Sequence, residues 1–212
     1  MEAAEPRRRG AKLYRNGVKR ALDIVVVLLA AAPALALLVP LMAITALDGR
    51  SPLYVQKRLG RHGRVFRMVK LRSMVDGADE ILEAHLARHP EARAEWDRTQ
   101  KLKKDPRITP FGALIRKTSL DELPQLFNVL KGDMSIVGPR PMMVEQRELY
   151  PGAAYFELRP GITGFWQVSE RNETSFAERA RYDSAYYRQM SLTTDLRVMA
   201  KTVKVVFHAT GY

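Results

Sequence analysis

The chain has 212 residues, with 35 Lys and Arg against 23 Asp and Glu and a formal net charge of +12. That length suits one domain or a domain with an appendage, and 46% hydrophobic residues with 27% charged exclude wholesale disorder. With no cysteine in the chain, a disulfide framework, a thiolate metal site and a cysteine nucleophile are excluded as well.

The excess charge is local. Residues 1–72 hold 15 basic and 4 acidic side chains, whereas residues 73–212 hold 20 and 19. Arg7, Arg8, Arg9, Lys12, Arg15, Lys19 and Arg20 precede an uncharged apolar run over 24–47, and a second basic cluster follows between Arg50 and Arg72. Charge placed around an apolar run, and not interleaved with aromatics, fits a membrane surface and argues against a nucleic-acid partner. As one straight helix the run is about 36 Å long, enough for a hydrocarbon core of about 30 Å. Pro33 near its middle and Pro40 further on each remove a backbone donor. A spanning helix carries its basic flank on one side, and this run carries one on both. A re-entrant helical hairpin that turns back at Pro33 is therefore expected, with arms over 24–32 and 34–47 of about 14 and 21 Å. An ordinary spanning helix kinked at proline is the competing topology. A signal peptide fits less well, because the run is long and leads straight into more basic residues. Asp23 reads as a boundary charge paired with Lys19 or Arg20.

Beyond the run, two strand-like segments flank Gly60-Arg61-His62-Gly63 and read as a β-hairpin. Period two puts Phe66, Met68, Lys70 and Arg72 on one face of the second strand. A polar helical stretch covers 76–104, with Ile81, Leu82, His85, Leu86 and His89 on one side. The two histidines have metal-ligand spacing but no third ligand, so a surface or interfacial helix is the better reading. Pro and Gly mark 105–112 as a loop. Further on come a Gly/Pro turn leading into a strand near 160–168, then helices near 174–190 and 194–208. In the last of these Leu196, Met199, Val203 and Val206 recur at helical spacing.

The sharpest local feature is Ser119-Leu120-Asp121-Glu122. As structure it is a capping box, Ser119 capping a helix that Glu122 braces. As chemistry, two acids at a helix start can hold a divalent cation and offer an ionised oxygen nucleophile. Local evidence favours the cap. Arg116 lies shortly before, and Arg140 is held between prolines in Gly138-Pro139-Arg140-Pro141; a guanidinium fork suits phosphate. No Walker loop, G-x-G-x-x-G or H-E-x-x-H occurs, which removes the usual support for P-loop hydrolysis and Rossmann redox chemistry.

Taken in order, KRALDIVVVLL, YVQKRLGRHGRVFRMVKLRSM, DPRITPFGALIRKTSLDELPQLFNVLKGDMSIVGPRP, RPGITGFWQV and YDSAYYRQMSLTTDLRVMAKTV closely resemble the bacterial sugar transferase family. These are monotopic phosphoglycosyl transferases acting on polyprenyl phosphate, and the likeness extends over roughly 17–212. The compact size and the Gly-Tyr end look most like the members that start exopolysaccharide synthesis. The resemblance implies an α+β chain of two parts. Residues 1–50 form a basic N-terminus and re-entrant membrane hairpin. Residues 51–212 form a mostly helical cytoplasmic catalytic domain with a short β-hairpin and interfacial amphipathic helices. It implies transfer of a sugar 1-phosphate from a UDP-sugar to undecaprenyl phosphate at the bacterial inner membrane, with UMP released. By the family's motif Asp121 is the nucleophile and forms a phospho-sugar adduct, Glu122 assists, and Mg²⁺ sits at the pair. Lys70, Arg116 and Arg140 match its phosphate-holding cations. One departure is Ala32, where the family often has Ser before the central proline. A membrane-anchored assembly or regulatory protein, its acidic pair only a cap, is the alternative from a different class.

Overall fold

A computed structural model describes residues 13–169 and 175–207. Arg7, Arg8, Arg9, Lys12 and the closing Gly211-Tyr212 lie outside them. The described residues form an α+β arrangement, an exposed apolar helix joined to helices and two small sheets.

A π-helical turn, Tyr14–Val18, leads into α1, Lys19–Thr45. Helical backbone continues through Pro33 and Pro40, so the two arms expected around Pro33 are one helical element. Each proline removes a single donor, and the adjoining Ala- and Leu-rich turns, strong helix formers, carry the helix past the gap. Its flanks are almost bare: 6% of its most apolar window is buried, and Leu28, Leu29, Leu35 and Val39 are each more than half exposed.

Both ends of α1 are nonetheless fastened to the rest of the molecule. Near its start, Arg20 donates to the carbonyls of Val129 and Leu130, at 2.5 and 2.7 Å. Asp23 accepts from Ser135 Oγ and the Ile136 amide, both at 2.9 Å. Asp23 is therefore a buried anchor, and the ion pair expected with Lys19 or Arg20 is absent among the described residues; Lys19 instead reaches Asp195 at 2.6 Å. At the far end, Arg72 donates to the Thr45 carbonyl at 2.7 Å and pairs with Asp48 at 2.6 Å.

The expected hairpin forms, β1 (Leu53–Leu59) pairing antiparallel with β2 (Val65–Leu71) from Leu53↔Leu71 to Leu59↔Val65. Phe66 and Met68 bury one face of β2 against Val27, Val129 and Met134, and Lys70 continues that face towards the acidic pair. The long polar helix expected over 76–104 is two helices, α2 (Ala78–Arg88) and α3 (Pro90–Thr99). Pro90 forces His89 into extended backbone, which ends one helix and caps the next. The His85 and His89 rings lie 4.5 Å apart, and no third ligating side chain joins them among the described residues.

α4 (Pro110–Lys117) starts inside the stretch read as loop, because Thr109 Oγ1 accepts from the Gly112 amide at 2.8 Å and Pro110 fits the first helical position. α5 (Gln125–Lys131) ends at Gly132, whose φ of 92° only glycine adopts easily. β3 (Ser135–Val137) and β4 (Gly161–Thr163) then pair in parallel. Around this pair Gly138, Gly161 and Gly164 interlock backbone to backbone. A Cβ on Gly161 would strike the Gly138 amide nitrogen, and one on Gly164 the Gly138 carbonyl.

α6 (Arg179–Gln189) and α7 (Leu192–Phe207) close the described chain. Of the stripe expected on α7, Met199 packs on the core and the Val206 side chain lies outside the described residues, but the buried face is centred elsewhere. Asp195 and Val198 are buried, whereas Leu196 and Val203 are about half exposed. Polar bonding decides this, because Asp195 accepts from Tyr14 and Lys19 at 2.6 Å and from Tyr186 at 2.8 Å. A buried carboxylate left without these partners would cost more than a half-exposed leucine returns.

Candidate active site

Between α4 and α5 the chain makes a short 3₁₀ turn, Leu120–Glu122, entered through Ser119 at a φ of 57°. Left-handed backbone is strained for a serine, and such residues concentrate where function demands a particular direction of the chain. Ser119 makes no side-chain cap, so the expected capping box does not form. Its carbonyl accepts from the Glu122 amide at 3.2 Å, and the acids sit on the turn before α5 instead of in the first turn of a helix.

The five side chains singled out in the sequence converge here from separate elements. Lys70 comes from β2, Arg116 from the last turn of α4, Asp121 and Glu122 from the 3₁₀ turn, and Arg140 from the loop after β3. Lys70 Nζ donates to Glu122 Oε1 at 3.2 Å, and Arg140 approaches the same oxygen at 3.6 Å. Burial alone would raise the Glu122 carboxyl, but Lys70, Arg140 and Arg116 together hold it below the usual glutamate range. Burial in turn lowers the Lys70 ammonium, partly offset by Glu122 and Asp121, and the Arg116 guanidinium, partly offset by Asp121 and Asp105.

Asp121 differs from its neighbour. It is 6% exposed, and no hydrogen bond or ion pair holds its carboxylate among the described residues. Burial pushes its carboxyl up; Lys70 opposes this, Glu122 adds to it, and Arg116 and Arg140 pull it back. Burial prevails over the cations here, and a carboxylate with three cations around it and no hydrogen bond among the described residues has an oxygen open to a phosphorus brought to it.

Two carboxylates are too few to cage a metal, and no group of three ligating side chains occurs among the described residues. They suffice for Mg²⁺, which characteristically takes one or two carboxylates and completes its shell with substrate phosphates and water.

Sequence reasoning missed a second set of cations. Trp166, in the turn after β4, has Arg179 Cζ at 4.3 Å, Lys101 Nζ at 4.6 Å and Arg140 Cζ at 5.8 Å from its ring. Arg58 of β1 donates to the Pro141 carbonyl at 3.4 Å and to Gln56 Oε1 at 2.5 Å. Lone arginines in strands and helices carry no local signal. Only the fold brings Lys101, Arg140 and Arg179 to one ring.

The chain matches the bacterial sugar transferase family model over residues 14–209, and it belongs to that family. It is 48% identical over 203 residues to the UDP-galactose-lipid carrier transferase of Erwinia amylovora, covering 95% of this chain and 43% of the relative. It is 47% identical over 206 residues to the undecaprenyl-phosphate galactose phosphotransferase of Salmonella typhimurium, with the same coverage. The exopolysaccharide production protein ExoY of Rhizobium meliloti is 46% identical over 200 residues, covering 91% of this chain and 87% of that one. The chain thus spans less than half the length of the first two relatives and most of the third.

Proposed function

We propose that this chain transfers a sugar 1-phosphate from a UDP-sugar to undecaprenyl phosphate and releases UMP, through a covalent adduct on Asp121. This would be the membrane step that opens exopolysaccharide or related glycan synthesis. The observation that carries it is Asp121 itself, buried, without a hydrogen bond, and ringed by Lys70, Arg116 and Arg140. An Asp121 oxygen attacks the β-phosphorus. The bond to the bridging oxygen breaks, and its electron pair leaves with UMP. An oxygen of the lipid phosphate then attacks the same phosphorus and returns Asp121 as a carboxylate. No proton need move in either displacement, so Glu122 acts by orienting Lys70 and Arg140 on the phosphate oxygens. Splitting the transfer in two keeps two mutually repelling anionic substrates from sharing the site, and the three cations offset the charge that remains. Mg²⁺, when bound, supplies further neutralisation of the pyrophosphate oxygens, held by Asp121 and Glu122.

The attachment of α1 supports a one-sided membrane seat. A helix fastened at Asp23 and at Thr45 to the same folded body cannot carry one end across a bilayer and leave the other behind. Its bare apolar flank then lies in one leaflet, bent or tilted at Pro33, with residues 51–212 as the catalytic part at the cytoplasmic face of the inner membrane. Cysteines introduced at positions 10 and 60 should react with a reagent supplied from the same side; reaction from opposite sides would overturn this seat.

The chemistry is tested in detergent-solubilised protein with magnesium, a panel of UDP-sugars, and undecaprenyl phosphate present or absent. Expected is UMP release from one donor, an adduct of one phospho-sugar in the intact mass, and neither in Asp121→Asn. Turnover retained in that variant would place the nucleophile elsewhere.

A further inference from the structure

Arg179 is the most anomalous cation in the molecule. It is 7% exposed, sandwiched between the rings of Trp166 at 4.3 Å and Phe176 at 4.5 Å, and its Nε has no hydrogen-bond partner. Among the described residues its guanidinium makes no ion pair. The nearest carboxylate, Asp183, is engaged by Tyr150 Oη at 2.5 Å. Arg58 is similar, with its Nε buried and unpartnered and its other nitrogens turned to neutral oxygens. Burial, and after it repulsion from Arg140, lowers the Arg179 guanidinium to about 9 and that of Arg58 to about 10. Asp183 offsets this burial only in part, and guanidiniums desolvated without an ion pair of their own among the described residues are matched to an anion supplied from outside.

The two ends of this array face different chemistry. Arg140 reaches Glu122, and through it the nucleophilic turn, while on its other side it shares the Trp166 ring with Arg179. We propose that Arg179 and Arg58, together with the far side of Arg140, form a second anion subsite that holds the phosphate retained by the nucleotide leaving group. Lys70 and Arg116 hold the phosphate that is transferred. This rests on the donor reading above. When the Asp121 oxygen bonds to the β-phosphorus and the bridging bond breaks, the electron pair moves onto the bridging oxygen and so onto the α-phosphate. A guanidinium there meets charge that grows only during departure, where fixed cations are most effective.

The second displacement contains no nucleotide, so the subsite has a signature that general damage to the fold does not imitate. With full-length protein in nanodiscs, Arg179→Gln should weaken UMP binding by about tenfold or more, as fits the loss of a charge-assisted contact. Binding of uridine, which lacks the phosphate, should be unchanged, and Arg179→Lys should restore part of the loss. Adduct formation should slow in Arg179→Gln, while transfer from preformed adduct to undecaprenyl phosphate keeps the wild-type rate. Equal UMP affinity in wild type and both variants would overturn the subsite, as would equal slowing of both half-reactions. A wild-type protein that binds UMP in this Arg179-dependent way but forms no adduct would overturn the covalent mechanism and leave the subsite standing.

Discussion

Two buried aspartates in this protein are treated in opposite ways. Asp195, at the root of the apolar helix, is fully buried and saturated, with Tyr14, Lys19 and Tyr186 all donating to it. Asp121 is almost as buried and has cations around it, yet it receives no hydrogen bond. Equal burial thus serves two purposes. Saturating a carboxylate welds elements together, because each donor would be left unpaired if they separated. Asp121 has no such weld among the described residues, which leaves its lone pairs open for the displacement proposed above.

The widest separation should come from Asp121→Asn. Transfer is expected to fall by about 10³-fold or more, as for loss of a nucleophile, while thermal unfolding shows stability unchanged or increased. The reason is that burial already disfavours the charge this variant removes. Asp195→Asn should show the reverse, because Lys19 loses its only ion-pair partner among the described residues. A loss of about 3–5 kcal/mol is expected, the cost of breaking a buried pair. If both variants unfolded at the same temperature, the distinction between weld and nucleophile would fail.

Asp183 is an intermediate case, deeply buried with Tyr150 as its one hydrogen-bond partner, and its carboxyl is pushed up by burial to about 7. Its pKa is raised on folding, so the native state holds a proton that the unfolded chain releases near pH 4. The corresponding stability is complete below that pH and is lost as pH rises to about 7. Denaturant titrations across this window should slope downward in wild type, and less so in Asp183→Asn. The smallest effect is expected at the other end of α1. Arg72→Gln removes a pair whose acid, Asp48, is half exposed, and should cost about 1 kcal/mol or less in the same titrations.

The roles of the site residues were legible through the resemblance of their segments to a family, since taken locally the acidic turn read as a cap and Lys70 as part of an amphipathic strand. The fold brings all five side chains together. Other features depended on partners remote in sequence. The capping box was plausible from spacing, but the left-handed Ser119 turns its side chain out of capping position. Periodicity placed Met199 of the α7 stripe on the core, but a single aspartate that finds donors on Tyr14 and Lys19, more than 170 residues away, turns Leu196 and Val203 outward. The cations on Trp166 fall in the same class, since nothing near Lys101 or Arg179 in the chain hints at a shared ring.

The interlocked glycines at 138, 161 and 164 bear on how this scaffold could acquire a new donor. Arg140 lies just beyond a junction where two stretches of main chain touch without room for one methyl group. Re-spacing that junction to admit a larger or smaller sugar would require prising a sheet apart. On the proposed reaction, changes of donor would therefore fall to side chains away from this junction, while the main chain that carries Arg140 stays fixed.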